Sequence, residues 1–154
     1  METKLAIIHA NGKGTGCAIE LSLTPAEGCI SGGLNLRIAN QMTVATEVRP
    51  AMFDFDTDAT MVLDWLQCAE VLQVFRGECE SIRDGRGRTF KALGDSFHYN
   101  LTHKVEPVYG YLLELDVARG CGRRDKYRMF LSNAESLGIA TAIESSMSAI
   151  CFGR

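Results

Sequence analysis

The residues best suited to chemistry are cations crowded into two glycine-bearing segments. DGRGR carries Arg86 and Arg88, with Lys91 close behind, and ARGCGRRDKYR carries Arg119, Arg123, Arg124, Lys126 and Arg128. Glycine allows tight backbone turns, and a guanidinium fork holds two phosphate oxygens at once. Phe90, Phe97, Tyr99 and Tyr109 are interleaved with these cations. Displayed at a sheet edge, such rings would stack bases while the arginines track a phosphate backbone, which suits a single strand better than a duplex. The plainer reading of the same residues is a set of solvated hairpin tips. Overall the chain is acidic, with a formal charge of -3, unlike the usual basic signature of a nucleic-acid binder.

Other constellations carry less chemistry. NGKGTG at Asn11–Gly16 lacks the glycine spacing and Lys-Ser/Thr ending of a phosphate-cradling loop, and its composition is that of a hairpin turn. Asp54, Asp56 and Asp58 begin like a calcium loop. Ala59 replaces the required glycine, however, and Trp65 stands where the bidentate glutamate belongs. His98 and His103 have opposite parity along one predicted strand and face opposite sides, and His9 is distant in sequence. There is no GxSxG elbow, and Asp64 beside Trp65 reads as a helix-start carboxylate. The six cysteines form no CxxC pair; Cys68 and Cys151 fall in apolar helical patterns, where a thiol serves as a small buried hydrophobe. We therefore expect no enzyme, no cofactor and no metal site.

The elements that must position the cations come in two copies. Met61–Arg76 (MVLDWLQCAEVLQVFR) and Met129–Glu144 (MFLSNAESLGIATAIE) align at an offset of sixty-eight residues, each a strand end running into an apolar helix. Before the first helix, strands are predicted over Lys4–His9, Cys17–Leu23, Cys29–Ile38 and Thr60–Leu63, with Val44–Phe55 also extended and Pro50 at an edge or bulge. Before the second, Arg88–Leu93, Phe97–His103, Val108–Val117 and Lys126–Leu131 make an antiparallel meander. In its third strand Tyr109, Tyr111, Leu113 and Leu115 should share a face. The helices are predicted over Trp65–Phe75, apolar nearly all round, and Asn133–Ile150, capped by Ser132 or Asn133 with Glu135 in its first turn.

The fold class expected is α+β, a duplicated unit of about four antiparallel strands followed by a helix. Residues 1–154 should form a single domain of two repeats, approximately 1–80 and 81–154, that share a core. No apolar run approaches eighteen residues and the N-terminal run is too short for a secretory signal, so a cytoplasmic protein without a membrane segment is expected. Charge divides unevenly. Residues 1–84 hold 6 basic and 12 acidic side chains, a balance of -6, and residues 85–154 hold 10 and 7, a balance of +3.

The order of elements, four strands then a helix, twice, resembles the Whirly family and its relatives, the mitochondrial guide-RNA-binding proteins and the dimeric single-stranded-DNA-binding transcriptional coactivators. The resemblance covers nearly the whole chain and lies in the order of elements. It implies sheets projecting from a helical core, self-association through helices, and a single strand of DNA or RNA lying across the sheets, as in a transcriptional or nucleic-acid-processing regulator. No Lys-rich KGKAAL-type segment is present, so no contact residue is carried over. Arg86, Arg88, Lys91, Arg123, Arg124, Lys126 and Arg128, with Phe90, Phe97, Tyr99 and Tyr109, are candidates by charge, ring chemistry and position. The competing reading is a homo-oligomeric interaction or scaffold protein that binds no nucleic acid, and a small-molecule-binding enzyme is the third.

Overall fold

The computed structural model describes residues 4–154; Met1–Thr3, where the first repeat was expected to begin, lie outside the described residues. The chain runs β1 (Lys4–His9), β2 (Cys17–Thr24), β3 (Gly33–Thr43), β4 (Met52–Phe53), β5 (Ala59–Leu63) and α1 (Trp65–Phe75). It continues through β6 (Arg88–Ala92), β7 (Asp95–Lys104), β8 (Gly110–Ala118), β9 (Arg124–Leu131) and α2 (Asn133–Phe152). The sixty-eight-residue offset reappears in the elements: β5 ends at Leu63 and β9 at Leu131, and the helices start at Trp65 and Asn133. The described residues divide into two compact units, residues 4–68 with 145–154, and Ala69–Glu144.

The first unit is an antiparallel sheet in the order β1-β2-β3-β5, with β4 beside the end of β3. Alternation along the strands sends Ile19, Leu21, Leu34, Leu36, Ile38, Met61 and Leu63 to one buried face. The end of α2 belongs to this unit and is closed by the β2–β3 loop. Ala26 N–H donates to Ala149 O at 2.9 Å and Gly32 N–H to Ile150 O at 3.3 Å, which satisfies carbonyls that a helix end leaves open. A side chain at position 32 would strike Thr24 O and Ile150 O, so only glycine allows this approach.

In the second unit β6-β7-β8-β9 form a four-stranded antiparallel meander. Its buried side chains include Phe97, Tyr99 and Leu101 of β7, Leu113, Leu115 and Val117 of β8, Tyr127, Met129 and Leu131 of β9, with Val71 and Val74 of α1 and Ile139 and Ile143 of α2. The Tyr111 hydroxyl donates to Phe75 O at 3.2 Å and its ring meets Phe75 edge-on at 5.1 Å, fixing β8 to the end of α1.

Several expectations need correction. Cys29 lies before β3, which begins at Gly33 and runs on to Thr43. Within Val44–Phe55 only Met52 and Phe53 pair as a strand, and Pro50 sits in the loop before them. Tyr109 precedes β8 and takes no place on its buried face. Cys151 is exposed, because it falls on the outer side of the last turn of α2, whereas Cys68 is fully buried. The helix α1, apolar nearly all round as expected, leaves Trp65 and Leu66 53% and 45% exposed.

Candidate nucleic-acid interface

Because side chains alternate along a strand, the residues between the buried positions of β6–β9 form a second, open face. Antiparallel pairing sets them in rows across the strands: Lys91, Ser96, Ala118, Arg124; then Thr89, His98, Asp116, Lys126; then Asn100, Glu114, Arg128; then Thr102, Leu112, Phe130. Lys91, Arg124, Lys126 and Arg128 are all exposed. With Lys104 the face carries five cations against Glu114 and Asp116, a formal balance of +3 (5 minus 2). Arg128 Nε lies 3.7 Å from Glu114 Oε2 with both side chains well solvated, a contact worth little against a bound phosphate. An open hollow of about 310 Å³ lies between Ser96, His98, Asp116, Arg124 and Lys126.

Polar side chains on this face are held in place by the backbone of the turn that precedes β6. His98 Nε2 is 2.8 Å from Arg86 O, Asn100 Nδ2 donates to Gly85 O at 3.2 Å, and Ile82 N–H donates to Asn100 Oδ1 at 3.3 Å. Ser81 bridges to Thr102. These contacts hold Arg83 and Asp84 in the left-handed region, at φ of 52° and 57°, a conformation that costs side-chain-bearing residues about 1–2 kcal/mol each.

The open face of the first unit differs in charge. Its rows set Lys4, Ser22, Asn35 and Val62 beside Ala6, Glu20, Arg37 and Thr60. Glu20 Oε2 lies 3.5 Å from Lys4 Nζ and 3.9 Å from Arg37 Nη1. Arg37 also donates through Nε to the Asp58 carboxylate and through Nη2 to Phe55 O at 2.8 Å, and its guanidinium lies 4.7 Å from the centre of the Phe55 ring. The Asp58 hydrogen bond raises the guanidinium pKa above its ordinary value. Both cations of these two rows are thus committed to carboxylates.

The eleven sequence-predicted residues are dispersed. Lys91, Arg124, Lys126 and Arg128 come together on the open face, and three of the four are strand residues of β9, not hairpin-tip residues. Arg88 points the other way and grips Glu70 of α1 with two bonds, Nε–Oε1 at 2.6 Å and Nη2–Oε2 at 3.0 Å. Arg123 is held in the β8–β9 turn by Asp125 Oδ2 at 3.1 Å, and Arg86 folds back onto Arg83 O at 3.1 Å. The aromatic platform is corrected most. Phe97 and Tyr99 are 4% and 1% exposed, and Phe90 is half-buried, stacked at 5.0 Å on Phe97. Their parity places them on the buried face, where they cannot stack a base. Tyr109 is exposed but sits in the β7–β8 turn, edge-on to His103 at 4.7 Å. Sequence reasoning missed Thr89, His98, Asn100 and the half-buried Phe130; alternation through RDKYRMFL was the signal that would have found the last.

Among the described residues no cluster of His, Cys, Asp or Glu could hold a metal, and no helix is long and apolar enough to cross a membrane. No protein-family model and no curated protein matches the chain. Solved structures do. WHY1 from Arabidopsis thaliana superposes with a TM-score of 0.75 at 13% identity, over 99% of this chain and 87% of that one. The plant transcriptional regulator PBF-2 gives 0.68 at 14%, over 97% and 82%, and WHY3 from Arabidopsis thaliana gives 0.63 at 14%, over 94% and 88%. At such identities the likeness is one of fold. Two antiparallel sheets, each leading into a helix, make the architecture of this chain α+β and Whirly-like.

Proposed function

We propose that this chain binds single-stranded nucleic acid on the open face of β6–β9. The observation that carries the reading is the file of exposed cations Arg124, Lys126 and Arg128 along β9, joined across the sheet by Lys91. Alternate residues of a strand recur about every 6.8 Å. The file lies along an open sheet face, where a flexible single strand can lay its phosphates over successive cations. The transcriptional role named for PBF-2 fits a protein that handles DNA. Leu137 and Phe152 of α2, 68% and 76% exposed, with Trp65 and Leu66 of α1, support self-association through the helices.

The test is a fluorescence-anisotropy titration of a labelled single strand at several salt concentrations, with solution mass measured in parallel. Neutralising about four phosphates predicts a log-log salt slope of roughly -3. Replacing Arg124→Glu and Lys126→Glu together should weaken binding at least about tenfold and leave the solution mass unchanged. Salt-independent binding, or unchanged affinity in the double variant, would overturn this face as the binding surface, and no measurable binding would favour a homo-oligomeric scaffold that binds no nucleic acid.

A further inference from the structure

Leu93 occupies the two-residue tip joining β6 to β7, in a conformation and an environment that both disfavour leucine. Ala92 pairs with Asp95, and between them Leu93 and Gly94 have φ of 51° and 83°. Positive φ at both central positions defines the primed hairpin turn that Asn-Gly and Gly-Gly fill without strain. A branched side chain is strained there, and this one is 103% exposed, the most exposed large apolar side chain among the described residues. The residue after the tip is also braced. Asp95 Oδ1 accepts from Gly120 N–H at 2.9 Å, and its Oδ2 lies 3.6 Å from Arg119 Nη1, pinning the turn to the neighbouring β8–β9 turn.

The surroundings indicate what this presented side chain meets. Leu93 borders an open hollow of about 450 Å³ with Lys91, Ser96 and Ala118. Ser96 and Ala118 also line the hollow beside Arg124 and Lys126. The leucine therefore stands at the edge of the row Lys91, Ser96, Ala118, Arg124, where a strand whose phosphates meet those cations would carry its bases past the tip. We infer that Leu93 is a base-contacting wedge, packing its apolar side chain against the face of an unstacked base in the bound single strand. This inference rests on the single-strand reading above. An apolar contact to a base adds affinity without adding a phosphate contact, so it leaves no trace in the salt slope.

The experiment compares the whole chain with its Leu93→Asn and Leu93→Phe variants, using one labelled single strand and the same strand with its bases removed. Asn suits the turn, so Leu93→Asn should raise the melting temperature by about 2–4 °C while weakening binding to the intact strand about tenfold. The salt slope should not change. Leu93→Phe should bind at least as tightly as the wild type, and on the abasic strand all three proteins should bind alike. Equal affinity of wild type and Leu93→Asn for the intact strand would overturn the wedge, as would a changed salt slope or a deficit that persists without bases. Failure of the wild type to bind any strand would instead remove the single-strand reading itself, and the wedge with it.

Discussion

Arg88 and Arg124 show how one residue of parity decides what a cation can do. Arg88, on the buried side of β6, is held by both oxygens of Glu70; Arg124, on the open side of β9, faces solvent. Burial likewise separates the cysteines. Desolvation pushes the Cys17 thiol from 9.0 up to about 11 and the Cys68 thiol up to about 12, whereas Cys29, Cys121 and Cys151 are exposed. A raised pKa in the folded state means that above pH 9 the unfolded chain loses protons the native chain keeps. Stability from these thiols is therefore complete below pH 9 and falls as pH climbs towards about 11, by about 1.4 kcal/mol per pH unit for each thiol. Urea melts across that range should show a shallower alkaline decline for Cys68→Ala than for the wild type; parallel declines would contradict the assignment. The basic residues were legible in the sequence as a group, but their division between faces was not. Grouping Arg124, Lys126 and Arg128 with the turn residues, although a strand was predicted over Lys126–Leu131, hid the alternation that puts them on one side, and the inward parity of Phe97 and Tyr99 was left unread.

Both helices begin with the same device, sixty-eight residues apart. Asp64 Oδ1 accepts from Gln67 N–H at 2.9 Å while Gln67 Oε1 accepts from Asp64 N–H at 2.9 Å; Ser132 and Glu135 exchange the same pair of bonds at 3.1 and 3.0 Å. Each is a reciprocal capping box that satisfies two otherwise open backbone donors. Ser132→Ala should cost about 1 kcal/mol. For a chain of this size that lowers the melting temperature by about 2–4 °C, readable by circular dichroism, and an unchanged melt would show the box to be idle. Helix starts were legible because caps and apolar periodicity are local signals. The stretch between β3 and β5 was not, because Arg37 draws Phe55 and Asp58 onto the sheet by contacts eighteen and twenty-one residues apart, and short-range alternation carries no trace of them.

Across the molecule a formal charge of -3 conceals a face of +3 on the second sheet and paired cations on the first. Duplication explains the common architecture. The two copies have diverged in chemistry, since Glu20 and Asp58 occupy Arg37 while Arg124 and Lys91 stand exposed on their own sheet. The likeness to WHY1 at 13% identity is one of fold. The most direct measurement is a backbone-amide NMR titration of the chain with a single-stranded oligonucleotide at low salt. The account predicts that the largest shifts fall on Lys91, Leu93, Ser96, His98, Arg124 and Lys126, with the rows around Arg37 unmoved. Shifts centred on Lys4, Glu20 and Arg37, or none at saturating strand, would contradict it.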